Sequence, residues 1–177
     1  MTRSRVAAGA AVIVTSLLLQ ATLIGPLTMP AAVSLPAVVV AAVALVDGPA
    51  TGMSFGFSMG LIADLGSSHP AGILALTWLG LGVLCGKAVD RRSVLGDAVT
   101  AGLLCAAASV VAEILLAIVH TSGANVGHAL LYAAAAALGD FVLALAVVPI
   151  ARLLLHSERL QAPHPVITEL RFKASHV

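Results

Sequence analysis

Residues 48–64 read GPATGMSFGFSMGLIAD, and a glycine occupies every fourth position until the series ends on an aspartate: Gly48, Gly52, Gly56, Gly60 and Asp64. Each four-residue step advances about 400° around an α-helix, so the series drifts only about 40° per step and stays on one face. Helices in lipid associate by close packing, which small residues permit. The stretch therefore predicts a helix-packing face, directed either at another helix of this chain or at the helix of a partner.

The rest of the chain is too apolar for a soluble protein. Its 177 residues are 60% hydrophobic and 10% charged, whereas a soluble domain is about 25% charged. The net charge of +1 and the 3% aromatic content also exclude a nucleic-acid partner, because they provide neither a basic surface nor a stacking platform. We therefore expect an all-α integral membrane protein whose surroundings are the lipid bilayer.

Six apolar runs approach the length of about 20 residues that a transmembrane helix needs. We predict a six-helix bundle over residues 1–155 and a weakly ordered cytoplasmic tail at 156–177. The predicted spans cover residues 6–24, 31–46, 50–65, 71–89, 95–119 and 129–155. Gly25-Pro26 with Pro30, and Asp47-Gly48-Pro49, predict breaks between the first three runs. An arrangement of four spans, with the second and third runs forming a re-entrant pair, remains open.

The basic residues predict the orientation in the membrane. All nine fall at the N-terminus, at the junction of the fourth and fifth spans, or after the sixth: Arg3, Arg5, Lys87, Arg91, Arg92, Arg152, Arg159, Arg171 and Lys173. In the six-span arrangement these positions share one side, and the opposite loops contain no Lys or Arg. The positive-inside rule then places both termini in the cytoplasm.

Three carboxylates lie within the apolar runs, where each ionisable group costs about 2.5–3.5 kcal/mol on insertion scales. Asp64 ends the glycine face and is either an interfacial or turn-capping carboxylate or a hydrogen-bonded anchor for the following loop. Glu113 lies about 9 Å from the outer end of the fifth span, and Asp140 about 16 Å into the sixth, at 1.5 Å per residue.

Glu113 and Asp140 each share a helical face with small residues, which are Gly102, Ala106 and Ser109 for the former and Ala129, Ala133 and Ala136 for the latter. Such faces predict that both carboxyl groups lie inside the bundle. Three roles remain open for them: a neutral carboxyl that hydrogen-bonds across helices, a proton or solute path, or contact with a partner membrane protein.

The sequence offers few groups for catalysis. No nucleophile–base set, phosphate-binding loop or dinucleotide motif occurs. Cys85 and Cys105 fall in apolar runs and are expected to be small packing residues. His69, His120 and His128 have no spacing typical of a metal site. We therefore predict a non-enzymatic protein without cofactor or metal.

The stretch 47–65, with its Gly-xxx-Gly-xxx-Gly-Leu-xx-Asp-Leu pattern, resembles the rod shape-determining protein MreD family, as does the glycine-rich run from Gly80 to Lys87. The resemblance implies a non-enzymatic subunit of the bacterial cell-wall elongation machinery in the inner membrane. It also implies three partners: an MreC-like membrane protein, an MreB-like actin and a peptidoglycan synthase complex. The implied fold is similar to the substrate-binding subunits of energy-coupling-factor transporters.

Two functions are therefore compared. In the first, the protein is a scaffold that uses Gly52, Gly56, Gly60 and Asp64 to pack against an MreC-like partner, while Lys87, Arg91 and Arg92 contact anionic lipid and cytosolic partners. In the alternative, it is a small-solute (vitamin-type) transport subunit that holds a ligand with Glu113, Asp140 and an outward cavity. An intramembrane enzyme has the least support.

Overall fold

The computed structural model describes residues 3–28, 33–67, 72–88, 93–119 and 126–157, with the backbone alone described for 3–6, 28, 126–129 and 154–157. These residues form α1 (Arg3–Leu19), α2 (Gly25–Thr28), α3 (Leu35–Asp47), α4 (Pro49–Leu65), α5 (Ile73–Lys87), α6 (Val94–Val119) and α7 (Val126–Ser157). No strand occurs among them, which confirms the all-helical class for the described part of the chain. Arg91, Arg92, His69, His120 and the tail from residue 158 lie outside it.

Three stretches are long and apolar enough to cross a membrane: Ala7–Leu27, Val94–Val119 and Leu130–Leu153. Helices α3 and α5 are apolar but shorter. Large apolar side chains point outward from the long helices, for example Leu130 and Leu153, which are 71% and 75% exposed. Lipid contact explains such a surface, and the structure therefore supports a membrane protein. The number of spans stays a prediction.

The first helix does not end at Gly25-Pro26, the first part of the predicted break, and Pro30, its second part, lies outside the described residues. A π-helical turn from Gln20 to Ile24 follows α1, and α2 continues the helix to Thr28. The Gly25 N–H bonds the Gln20 carbonyl in the wider π pattern. Pro26 has no N–H to donate to the preceding turn, and the backbone keeps its helical course there without that hydrogen bond.

The short helix α3 forms the centre of the bundle. It contacts α1, α4, α5, α6 and α7. Its fully buried side chains include Val38, Val40, Ala41 and Ala44. A helix that is apolar on every face lies either in a protein core or in lipid, and here other helices surround α3. The second predicted span is therefore the core of the molecule.

Candidate functional site

The glycine face of α4 packs against α5 of the same chain. A Cβ on Gly56 would lie 2.6 Å from the carbonyl carbon of Trp78, and one on Gly60 would lie 2.6 Å from the backbone nitrogen of Ala75. A Cβ on Gly52 would lie 2.7 Å from the Gly82 carbonyl oxygen. Real Cβ atoms do not approach backbone atoms so closely, so only glycine allows the two helices to sit at this distance.

The packing of α4 against α5 bears on the two roles that the glycine spacing left open, which are contact with another helix of this chain and contact with the helix of a partner. Helix α5 occupies the space beside Gly52, Gly56 and Gly60 that the helix of a partner would need. The structure thus uses the glycine face within the chain, and a partner would have to contact a different surface.

Asp64 anchors the start of α5. Its Oδ2 accepts hydrogen bonds from the backbone N–H groups of Gly72 and Ala75 at 2.8 and 3.0 Å, and its Oδ1 accepts one from Leu74 at 3.1 Å. The side chain is buried. The first N–H groups of a helix have no partner within the helix, and a carboxylate satisfies both them and the positive end of the helix dipole. Asp64 therefore takes the anchoring position that was one of its two expected roles.

Asp140 joins three helices at the centre of the bundle. Its buried carboxylate accepts a hydrogen bond of 2.6 Å from the backbone N–H of Ser34, which precedes α3, and another from the Ser109 hydroxyl on α6. The two small-residue faces expected on the fifth and sixth spans do meet, since Phe141 of α7 also fills the space beside Gly102 of α6. Of the roles left open for Asp140, this geometry serves a hydrogen bond across helices.

Glu113 occupies a different position from Asp140. It is half-buried and lines a cavity of about 270 Å³. The polar side chains of the cavity wall are Gln20, Ser34, Ser109 and Glu113, and Trp78 and Leu116 are among its apolar ones. The structure therefore separates the two carboxyl groups: Asp140 is held by protein groups, whereas Glu113 faces an open space.

Gln20 is a structural residue that the sequence does not reveal. Its Nε2 donates to the Val33 carbonyl and its Oε1 accepts from the Leu35 N–H, both at 2.8 Å. The Gln20 amide thus bonds the backbone of the segment that enters α3 through one donor and one acceptor, as a neighbouring β-strand would. An uncharged amide near the end of an apolar run gives no warning of this role.

Asp97 and Arg152 form an ion pair that the sequence analysis did not single out. The Arg152 guanidinium contacts Asp97 Oδ2 between the first turn of α6 and the C-terminal part of α7. The Asp97 side chain is 1% exposed and that of Arg152 is 19% exposed. A detectable signal existed, because each charge lies just inside an apolar run on the predicted cytoplasmic side. Lys87, by contrast, is exposed at the end of α5.

Chemically, these side chains are suited to holding helices together. Within the described residues, no three His, Cys, Asp or Glu side chains cluster as metal ligands. The chain matches no protein-family model, and no curated protein or solved structure matches it.

Proposed function

We propose that the protein is a non-enzymatic scaffold subunit of the rod-shape and cell-wall elongation machinery in the bacterial inner membrane. In this proposal it crosses the membrane six times with both termini in the cytoplasm. Its fold resembles the substrate-binding subunits of energy-coupling-factor transporters. Its partners are an MreC-like membrane protein, an MreB-like actin and a peptidoglycan synthase complex.

One observation carries the proposal: the three glycines and the aspartate of the motif behind the MreD resemblance serve the same structural unit. Gly52, Gly56 and Gly60 seat the α5 backbone, and Asp64 caps the start of that helix. The pattern thus encodes a tightly packed α4–α5 pair that ends in a carboxylate cap. A scaffold needs such rigid pairs because it acts by presenting a fixed binding surface to its partners and not by catalysing a reaction.

The turn between α3 and α4 supports the six-span topology. A Cβ on Gly86 would lie 2.8 Å from the Gly48 carbonyl carbon, so this turn reaches the same end of the bundle as Lys87. Basic residues favour the cytoplasmic side. The second and third predicted spans would then meet at the cytoplasmic surface and not inside the bilayer.

The proposal is tested by co-purification of the tagged full-length protein from membranes of its own organism, with each partner detected by its own antibody. We expect the MreC-like protein to co-purify with the wild type and the exposed Lys87→Glu variant to retain less of the actin-like protein. Failure to recover the MreC-like protein with a folded, inserted wild type would overturn the scaffold function.

The alternative, a small-solute transport subunit, stays the second candidate because one observation favours it. The cavity lined by Glu113 lies among α1, α3, α4, α5 and α6, and this function requires an outward ligand site of that kind. Asp140 does not line it. Substrate uptake that depends on the protein in a strain lacking its chromosomal copy would favour transport over scaffolding.

A further inference from the structure

The central helix is too short to fill the bundle, and this creates the cavity. With 13 residues, α3 is about 20 Å long, whereas the hydrocarbon core of a bilayer is about 30 Å thick. Val33, Ser34 and Pro36 at the start of α3 form the floor of the 270 Å³ space, and residues of α1, α4, α5 and α6 form its sides. In the described parts of the chain, no Cα of α1 lies within 8 Å of a Cα of α6. Helix packing therefore does not close the cavity between them.

The floor offers no free backbone donors to an anion, although a helix N-terminus usually does. Asp140 accepts the hydrogen bond of the Ser34 N–H, and Gln20 Oε1 accepts that of Leu35. The Ala37 N–H bonds the Ser34 hydroxyl, and Pro36 has no N–H. These bonds use every backbone donor from Ser34 to Ala37, so the floor does not favour a phosphate or a carboxylate.

Glu113 is the one charged residue among those that line the cavity. Gln20 is held at both ends by backbone groups, and the Ser109 hydroxyl contacts Asp140 and the Cys105 carbonyl. Among the described residues, none hydrogen-bonds or pairs with the Glu113 carboxyl. A carboxylate in a partly apolar space binds a cation or a charged donor most strongly, because its charge is poorly solvated there.

We propose that this cavity binds a small organic ammonium group carrying an apolar substituent. The ammonium donates to the Glu113 carboxylate, and the substituent lies against Trp78, Leu116 and the other apolar side chains of the wall. An indole beside the site adds to the preference for a cation. The inference concerns the cavity alone and holds whether the protein is a scaffold or a transport subunit.

Two sources can supply the same ammonium chemistry. One is a free amine, and the other is the headgroup of an aminolipid, which could enter through the gap between α1 and α6. The volume of 270 Å³ is close to the lower end of the range for small-molecule sites, about 300 Å³, so only a small group fits.

The test is isothermal titration of the purified full-length protein in neutral maltoside micelles with hexylammonium, hexanol and hexanoate. These probes share one chain and differ in the head group. We expect saturable binding of hexylammonium, at least tenfold weaker binding of hexanol, and none of hexanoate. Equal binding of hexanol or hexanoate would overturn the proposal.

Variants assign the binding to the cavity. Glu113→Gln removes the charge and is expected to weaken hexylammonium at least tenfold without altering hexanol. Ala112→Leu fills the cavity and is expected to weaken both probes. Ser54→Ala is the control, because its exposed hydroxyl bonds only the Ala50 carbonyl of its own helix. Unchanged affinity in both cavity variants, each verified as folded by circular dichroism, would refute the site.

A lipid titration distinguishes the two sources. If an aminolipid is the ligand, phosphatidylethanolamine added to the micelles competes with hexylammonium, whereas phosphatidylglycerol does not. If a free amine is the ligand, neither lipid competes. Competition by phosphatidylglycerol alone would contradict the proposed charge preference and overturn it.

Discussion

The Asp140 carboxylate accepts a 2.6 Å hydrogen bond from the backbone N–H of Ser34, although 106 positions of sequence separate the two residues. The bond joins the middle of α7 to the segment that starts the central helix α3. The Ser109 hydroxyl adds α6 to the same carboxylate. One buried side chain therefore fixes the relative position of three helices, which explains why the chain retains an expensive carboxylate in an apolar helix.

Replacement of Asp140 is expected to destabilise the protein according to the acceptors that the new side chain provides. Asp140→Leu leaves the Ser34 N–H and the Ser109 hydroxyl without their carboxylate partner, at a cost of about 1–3 kcal/mol. Asp140→Asn keeps one acceptor oxygen and is expected to lose less. Unfolding in detergent, followed by circular dichroism, measures both. Ser109→Ala spares the Ser34 bond, so a loss as large as that of Asp140→Leu would contradict this account.

The close approach of α4 and α5 predicts a strong difference between two glycines. A Cβ on Gly56 would lie 2.6 Å from the Trp78 carbonyl carbon, whereas a Cβ on Gly80 would meet no atom within 4 Å. Gly56→Ala is therefore expected to cost about 1–3 kcal/mol through overpacking. Gly80→Ala is expected to be neutral or to stabilise by up to about 1 kcal/mol, because alanine favours helices.

Unfolding of the isolated protein measures this pair without any partner present. Equal stability of Gly56→Ala and Gly80→Ala would show that the glycine face is not packed within the chain. A normal unfolding transition for Gly56→Ala combined with loss of the MreC-like partner would assign the face to intermolecular contact instead.

Asp64 predicts a local effect at the start of α5. Asp64→Ala removes the acceptor of the Gly72, Leu74 and Ala75 N–H groups and is expected to cost about 0.5–2 kcal/mol, as for other helix caps. Hydrogen exchange resolves the change, since the amides of Leu74 and Ala75 should exchange faster while those in the middle of α6 do not. Uniformly faster exchange would argue against a local cap.

The sequence predicts much of this arrangement where one helix carries the whole signal. Glycines at a spacing of four can only share a face, so Gly52, Gly56 and Gly60 indicate a close helix contact before any partner is known. The small residues beside Asp140 likewise indicate burial. Which helix fills each face is a property of the assembled bundle, and for that reason the choice of α5 over a partner was left open.

The sequence does not predict contacts between residues on different helices either, because these contacts also depend on how the assembled bundle packs. Arg152 counted only as one of the cytoplasmic basic residues and Asp97 was not singled out, and neither helix by itself shows that α6 and α7 bring the two together. Glu113 and Asp140 each share a helical face with small residues, yet only Asp140 meets Ser34. Gln20 lacks any charge or periodicity that distinguishes it. Local spacing thus predicts faces, whereas hydrogen-bond partners across helices require the three-dimensional packing.

The buried ion pair predicts that replacing one partner destabilises the protein more than replacing both. Arg152→Met leaves the Asp97 carboxylate buried without its guanidinium partner and is expected to cost about 3–5 kcal/mol. Asp97→Leu combined with Arg152→Met replaces the pair by apolar groups and is expected to recover most of that loss. Chemical unfolding of the two variants measures the difference. A double variant as unstable as Arg152→Met alone would exclude this explanation.

Three introduced cysteines distinguish six spans from four. Ala50, Gly66 and Lys87 are exposed, whereas the native Cys85 and Cys105 are each 0% exposed and should contribute little background. With six spans, Ala50→Cys and Lys87→Cys react with a membrane-impermeant maleimide only from the cytoplasmic side, and Gly66→Cys only from outside. Inside-out and right-side-out vesicles provide the two directions of access.

With a re-entrant pair, the α3–α4 turn stays within the bilayer and Ala50→Cys does not react from either side. Reaction of Lys87→Cys from outside would contradict the orientation inferred from the basic residues, because the positive-inside rule places those residues in the cytoplasm.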